Sequence, residues 1–215
     1  MKRQDIHNSD VPVLCRNCEV RHRGLCGVLE PDELVELSRH TRVVRQRAGS
    51  ELVADEAEIT SYANVMRGVV KLSKMLEDGR QQLVGLQFAP DFLGRPYRSE
   101  STINAEAATI VSLCCFPRTT IERMQREQPD LERRLFRQAL DDLDQARTWM
   151  VTLGRKTAAE KIASFLLLIA HNIDPDAAEA NRPAVFDLPL SRADIADFLG
   201  LTIETVSRQL TRLRV

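Results

Sequence analysis

No stretch of this chain approaches the roughly 20 apolar residues that a membrane-spanning helix needs. Its densest run, Phe165-Leu166-Leu167-Leu168-Ile169-Ala170, reads as part of one buried helix. The start, Met1-Lys2-Arg3-Gln4-Asp5, is charged but leads into no apolar h-region, so no secretory signal is expected and the protein is placed in the cytoplasm. Net charge is also small: −1 over 215 residues argues against a protein that coats nucleic acid by bulk charge. It leaves room for a site-specific binder whose basic groups line one face. No Ser-His-Asp order, phosphate loop or pair of catalytic carboxylates stands out, and His7, His22, His40 and His171 are scattered, so an enzyme is not expected. What is present is the composition of an ordinary globular protein, 43% hydrophobic and 28% charged. Five cysteines in a chain of this kind point to ligands or redox groups before structural disulfides.

Texture divides the chain into four parts. Residues 1–30 hold Cys15, Cys18 and Cys26 in a polar, loop-like setting. Residues 31–123 are broken by turn signals such as Ala48-Gly49-Ser50, Glu77-Asp78-Gly79-Arg80 and Gly94-Arg95-Pro96. Runs between them alternate with period two, with Val84, Leu86 and Phe88 on one side, so 31–117 is expected to be β throughout, as a barrel or sandwich. Residues 124–154 are expected as a long helix, for which Pro129 suits the start. Phe136, Ala139, Leu143, Ala146, Met150 and Leu153 recur there at spacings of 3, 4, 3, 4 and 3. A sustained 3.5-residue period needs a second helix to cover it. Leu131, Leu135 and Trp149 lie off that seam and can pack on the chain's own barrel. Two apolar stripes on one helix need two partners, and a parallel homodimer is expected.

Residues 155–215 form the last part. Thr157-Ala158-Ala159-Glu160 has the capping-box form and opens a helix through Ile162, Phe165 and Ile169. Ser191-Arg192-Ala193-Asp194 is a second such box, with Ile195, Ala196 and Leu199 inward and Gly200 ending the helix. Thr202 can cap the next helix, in which Ile203, Val206, Leu210 and Leu213 are expected to form a buried stripe. Ala196, Gly200 and Val206 have the small–Gly–anchor spacing of a helix-turn-helix. A solvated helical hairpin would share the pattern but needs neither cap nor reading face. The outward face carries Glu204, Ser207, Arg208, Thr211 and Arg212. Arg208 can bond a guanine bidentately, Glu204 can accept from a cytosine amine, and Ser207 can pair or touch a methyl group. Arg212 and Arg214 are better placed for phosphates.

The stretch Leu190-Ser191-Arg192-Ala193-Asp194-Ile195-Ala196-Asp197-Phe198-Leu199-Gly200-Leu201-Thr202-Ile203-Glu204-Thr205-Val206-Ser207-Arg208 resembles the helix-turn-helix of the CRP/FNR family of transcription regulators. The order of parts is similar too, and the likeness covers nearly the whole chain. It implies an α+β fold: an N-terminal antiparallel β-barrel like that of cyclic-nucleotide-binding domains, a long dimerisation helix and a C-terminal helix-turn-helix of the winged-helix type. Family members continue into a β-hairpin wing, whereas this sequence stops at Val215, so the wing is expected to be missing from it. The resemblance further implies double-stranded palindromic DNA as ligand and RNA polymerase as partner. In the FNR-like branch, Glu-x-x-Ser-Arg reads a TTGAT-type half-site, and Glu204, Ser207 and Arg208 match that motif.

Barrels of this family serve different signals. Cyclic-nucleotide binders carry a Gly-Glu pair and a later Arg-Ser or Arg-Thr pair, because a buried phosphate needs a cation and clustered donors. Here no Glu follows Gly94, alanines stand in Ala105-Glu106-Ala107-Ala108, and Arg95 is a loose substitute, so no cyclic nucleotide is expected. Cys15-x2-Cys18-x7-Cys26 supplies three thiols, and a cubane iron–sulfur cluster needs four. In the strand ending at Pro117, Val111, Leu113 and Cys115 share one face while Ile110, Ser112, Cys114 and Phe116 share the other. Cys115 then reads as a small core residue and Cys114 as the fourth ligand. Neighbouring Arg16, Arg21, Arg23 and His22 are expected to favour thiolates on the N-terminal segment, with no such help for Cys115. Cys15, Cys18, His22 and Cys26 also make a three-cysteine, one-histidine zinc set, and on local spacing zinc and cluster are even. A thiol–disulfide switch between Cys15 and Cys18 would need no metal but leaves Cys26 without a role. FNR-like oxygen sensors resemble this chain in an N-terminal cysteine cluster plus one distant cysteine three residues before a proline, as Cys114 is before Pro117. That resemblance implies a [4Fe–4S] cluster on Cys15, Cys18, Cys26 and Cys114, and DNA binding that oxygen weakens.

Overall fold

Short apolar and β-branched runs between turns form eight strands in the computed structural model, which describes residues 11–213 apart from the side chains of residues 178 and 179. They are β1 (Arg42–Gln46), β2 (Glu51–Val53), β3 (Ser61–Arg67), β4 (Val70–Met75), β5 (Gln81–Gln87), β6 (Phe92–Leu93), β7 (Asn104–Ala107) and β8 (Val111–Pro117). Two antiparallel sheets result, in the orders β1-β8-β3-β6 and β2-β7-β4-β5. Ala63, Val65, Val70, Leu93, Ala105, Ala107, Val111 and Leu113 fill the space between them. The expected barrel is thus a roll of two sheets rather than a closed cylinder.

Two local expectations need correction. The chain reaches the first sheet through helices, not strands. After one turn, α1 (Val13–Arg16), and a 3₁₀ turn (Leu25–Val28), Pro31 opens α2 (Pro31–Arg39). Glu30 and Glu33 cap that helix reciprocally, and Leu34 and Leu37 bury its inner side. Pro31 followed by Asp32 and Glu33 was the available signal. The second correction concerns β5. The β4–β5 register shifts between Leu72 and Ser73, opposite Gly85 and Leu83. This bulge absorbs Val84 and breaks the period of two. Leu83, Leu86 and Phe88 point inward while Val84 is 48% exposed.

Two helices follow β8. α3 (Arg118–Glu127) stops at Gln128, whose extended backbone (φ −132°, ψ 97°) suits a residue before proline. α4 (Pro129–Arg155) then runs 27 residues, so the segment 124–154 contains the end of one helix and most of another. The remainder is α5 (Ala158–Ile173), α6 (Asp176–Glu179), α7 (Arg192–Leu199) and α8 (Ile203–Arg212).

Each sheet carries its own cover. Tyr62, Phe92 and Phe116 of the first sheet meet Leu25, Leu29, Leu34, Leu37, Ile121, Met124, Leu131 and Leu135 from the N-terminal segment and α2–α4. Val69, Leu83, Leu86 and Phe88, from β5 and the ends of the second sheet's strands, meet Ile162, Phe165 and Ile169 of α5, Ile195, Phe198 and Leu199 of α7, and Val206 of α8. Full burial of one such side chain is worth about 1.5–3 kcal/mol. No helix among the described residues is long and apolar enough to cross a membrane.

Candidate functional site

Four thiols line one small hollow between the N-terminal segment and the outer face of the first sheet. Cys15, Cys18 and Cys26 come from the segment, Cys114 from β8, and the walls are Leu14, Val20, Leu37, Met66 and Phe116 with Asn64, Arg21 and Thr41. Leu25, 1% exposed, anchors the turn that presents Cys26. Gly27 permits its tightness, since a Cβ there would stand 2.6 Å from the carbonyl oxygen of His22. Arg134 of α4 donates to the carbonyl of Arg23 and ties this loop to the long helix. Cys115 points the other way, into the space between the sheets, beside Leu113 and Val111. His22 is exposed, does not line the hollow, and its Nε2 lies 3.0 Å from Arg21 Nη2. Among the described residues no three His, Cys, Asp or Glu side chains are gathered tightly enough to hold a metal ion. The thiols share a hollow without being drawn to one point.

Burial dominates the acidity of Cys15, Cys26 and Cys114. It pushes the Cys26 thiol up to about 12, helped by Cys15 and Cys18 and opposed by Arg21. Cys15 is raised by burial and Cys18, and Cys114 by burial and then by Cys26, Cys18 and Cys15. Burial therefore outweighs the expected help from neighbouring cations and disfavours the thiolate form at these three positions. Cys115, expected to lack such help, has the Arg42 guanidinium beside it, although burial still raises it. Asn64, which sequence reasoning passed over, is 4% exposed and its Nδ2 lies 3.9 Å from Cys26 Sγ. An amide inside the run Tyr62-Ala63-Asn64-Val65 was the signal.

At the other end, α7 and α8 form the helix-turn-helix. Ser191 and Asp194 make the capping box of α7, Gly200 closes it in the left-handed region (φ 59°), and the Thr202 hydroxyl accepts the Thr205 amide at 3.2 Å. Val206 is fully buried and Leu210 half-buried, but Ile203 and Leu213 are 49% and 55% exposed. The expected four-residue stripe is thus narrower, because α8 rests on α7 and α5 only through its middle. Glu204, Arg208, Thr211 and Arg212 are exposed and Ser207 half-buried on the outward face. The Thr211 hydroxyl donates back to the Ser207 carbonyl at 2.9 Å. His7 and Arg214 lie outside the described residues.

This head is docked on the second sheet. Lys71 Nζ donates to Asp194 Oδ1 at 2.8 Å and pairs with Glu106 at 2.9 Å. Gln82 Nε2 donates to the Asp197 carbonyl, and, from α5 rather than the sheet, Lys161 Nζ donates to the Leu199 carbonyl at 3.1 Å. Burial pulls the Lys71 ammonium down, but its two carboxylate partners outweigh that and hold it above its ordinary range. Burial likewise pushes Asp194 up, yet Lys71 and Ser191 hold it below the usual carboxylate range. Trp149 of α4 packs against Phe198 with the rings tilted by 56° and their centroids 4.6 Å apart.

Of the seam residues, Phe136, Ala139, Leu143, Ala146 and Met150 are exposed and Leu153 is half-buried, while Leu131 and Leu135 are buried. Leu140 and Val151 widen the bare stripe. A larger hollow, open to solvent, lies between the sheets and α4; its rim mixes Arg95 and Arg98 with Glu51, Glu58 and Asp142, and Arg95 is engaged by the Thr102 hydroxyl.

Comparison with known proteins agrees with this layout. Residues 188–215 match the family model of bacterial regulatory proteins, crp family. A probable transcriptional activator of Rhizobium leguminosarum bv. viciae is 55% identical over 99% of this chain and 87% of its own length. The transcriptional activator protein FnrL of Cereibacter sphaeroides is 42% identical over 95% of the chain and 84% of its own. The solved structure of FixK2 from Bradyrhizobium japonicum superposes with a TM-score of 0.70 at 32% identity, covering 80% of this chain and 84% of that one.

Proposed function

The chain belongs to the CRP/FNR family of DNA-binding transcription regulators, and we propose that it regulates transcription in response to oxygen through a [4Fe–4S] cluster held by Cys15, Cys18, Cys26 and Cys114. The observation that carries this reading is the convergence of four cysteines, and no histidine, on one hollow. A lone zinc ion takes its ligands about 2.0–2.3 Å from a single point, whereas a cubane accepts one thiolate at each of four corners. Thiols spread around a hollow suit the second. Their apolar walls suit a buried inorganic group, whose ferric and ferrous charge offsets the cost of ionising the sulfurs. His22, which a zinc set would need, stands outside.

The DNA ligand is proposed to be a TTGAT-type palindrome bound by a homodimer. Arg208 and Glu204 are exposed and Ser207 half-buried on the face that would meet base edges, and Arg212 lies one turn further along the helix, toward the proposed phosphates. A second copy covering Phe136, Leu143 and Met150 would set two reading helices about 34 Å apart, one turn of DNA. RNA polymerase is the proposed further partner.

The test is one preparation measured twice. Protein isolated without oxygen is expected to contain four iron and four sulfide per chain and to shift a TTGAT palindrome in a mobility assay. Exposure to air should abolish both. Zinc in place of iron, or binding indifferent to air, would refute the oxygen reading while leaving the DNA-binding one intact.

A further inference from the structure

We propose that Asn64 is a positioning residue for the cluster, donating its amide N–H to the sulfur of Cys26; this rests on the cluster reading above. Asn64 lies in the middle of β3, on the face shared with Tyr62 and Met66. Strand interiors disfavour asparagine, and the cover over this face is apolar, so packing alone would select Val, Ile or Leu. Instead a side chain 4% exposed puts a polar amide at the wall of the hollow that the four thiols line. Its Nδ2 reaches Cys26 Sγ at 3.9 Å. Its Oδ1 is buried and has no hydrogen-bond partner, a cost to the fold that an apolar residue of the same shape would avoid.

Register sharpens the point. Asn64 stands directly across from Cys114 in the β3–β8 ladder, so this amide lies beside the sheet's own cysteine while touching one from the N-terminal segment. A neutral thiol is a weak acceptor, but a ligating thiolate carries charge and accepts an amide N–H more strongly. Hydrogen bonds to ligating sulfurs raise the reduction potential of iron–sulfur groups by stabilising the more negative state. Asn64 therefore fixes the orientation of Cys26 and shifts the balance of the bound group toward its reduced form. The polar atoms that cost stability in the metal-free chain find their use when the sulfurs ionise.

The experiment compares the full chain with Asn64→Leu, which keeps the shape and removes both polar atoms, and Asn64→Thr, which keeps one donor. Thermal unfolding of the metal-free proteins, iron release to a chelator and the midpoint potential after anaerobic reconstitution are measured for all three. The Leu variant is expected to be as stable as the unsubstituted chain, or more so, when metal-free. It should hold iron roughly 10–100-fold less well and titrate at a lower potential, with the Thr variant between. A Leu variant that loses metal-free stability yet keeps its iron and potential would make Asn64 a merely structural residue and overturn the proposal. If the Leu variant fails to fold, an unshifted potential in the Thr variant overturns it equally. An unsubstituted chain that takes up iron and sulfide beside an unaffected variant overturns this proposal alone; one that takes up neither overturns the cluster reading with it.

Discussion

The two sheets share one core but wear different covers. Over the first lie a cysteine-bearing segment and α2–α4, packed by apolar side chains, with the thiols and Asn64 gathered at one hollow and the Tyr62–Glu122 and Arg123–Glu36 contacts elsewhere. Over the second lies the helix-turn-helix, packed by Phe165, Ile195 and Leu199 and pinned by the Lys71–Asp194 pair and Gln82. In the proposed reading the first cover would take a ligand, while the second holds the helix-turn-helix against its sheet. α4 packs into both, through Leu131 and Leu135 at its start and Trp149 toward its end. One continuous helix thus touches both the cover that carries the thiols and the cover that carries the helix-turn-helix.

If the covers do separate tasks, substitutions in each should have separate consequences. The largest contrast is expected within β8: Cys114→Ser should lose nearly all reconstituted iron, whereas Cys115→Ser and His22→Ala keep it. Iron and zinc per chain, measured side by side, check this. Zinc lost only in His22→Ala would reverse the assignment.

Next comes that helix itself, α4. Leu143→Asp places charge on the bare stripe and should halve the mass seen by sedimentation equilibrium, while thermal unfolding of the sheets stays as before. An unchanged mass would mean that another surface joins the chains.

On the second cover, Arg208→Ala is expected to weaken the specific site by about 1–3 kcal/mol, through loss of a bidentate guanine contact. Arg212→Ala should instead lower the salt slope of binding by about one unit on any sequence. Titrations against specific and random DNA at several salt concentrations distinguish them.

The smallest effect concerns the clamp. Asp194 is held low, so its contribution to docking is present above the unfolded carboxylate value near 4 and fades as pH falls through its folded one. Lys71 is held high, so its contribution is present below about 10.4 and fades as pH rises beyond. The clamp's contribution to the melting temperature should be flat between those limits. Lys71→Met should flatten the acid decline, and an identical decline in both proteins would show that the pair adds nothing.

What was legible in the sequence was local. Ser191 with Asp194, Thr157 with Glu160, and Gly200 announce helix ends because each cap is satisfied within four residues. The alternation in β8 separated Cys114 from Cys115 because side chains of a paired strand must alternate. What stayed hidden needed a partner from far along the chain. Lys71 meets Asp194 across 123 residues of sequence, and nothing near either position foretells it. The β5 bulge that turns Val84 outward exists because β4 pairs with it in that register. Ile203 and Leu213 read as core by period alone, yet a helix laid against only two neighbours leaves the ends of its apolar stripe bare. The cations near the cysteines were visible too, but the weight of burial over charge was not.

The bare stripe on α4 has a consequence in mass action. A chain that shows Phe136 at 64% and Met150 at 72% exposure has apolar surface to cover, and under the proposed pairing a palindrome would be read only when two chains meet. Occupancy of such an operator would then rise with the square of the free chain concentration while pairing and occupancy are both low, so that the abundance of the protein would set how sharply its target genes answer.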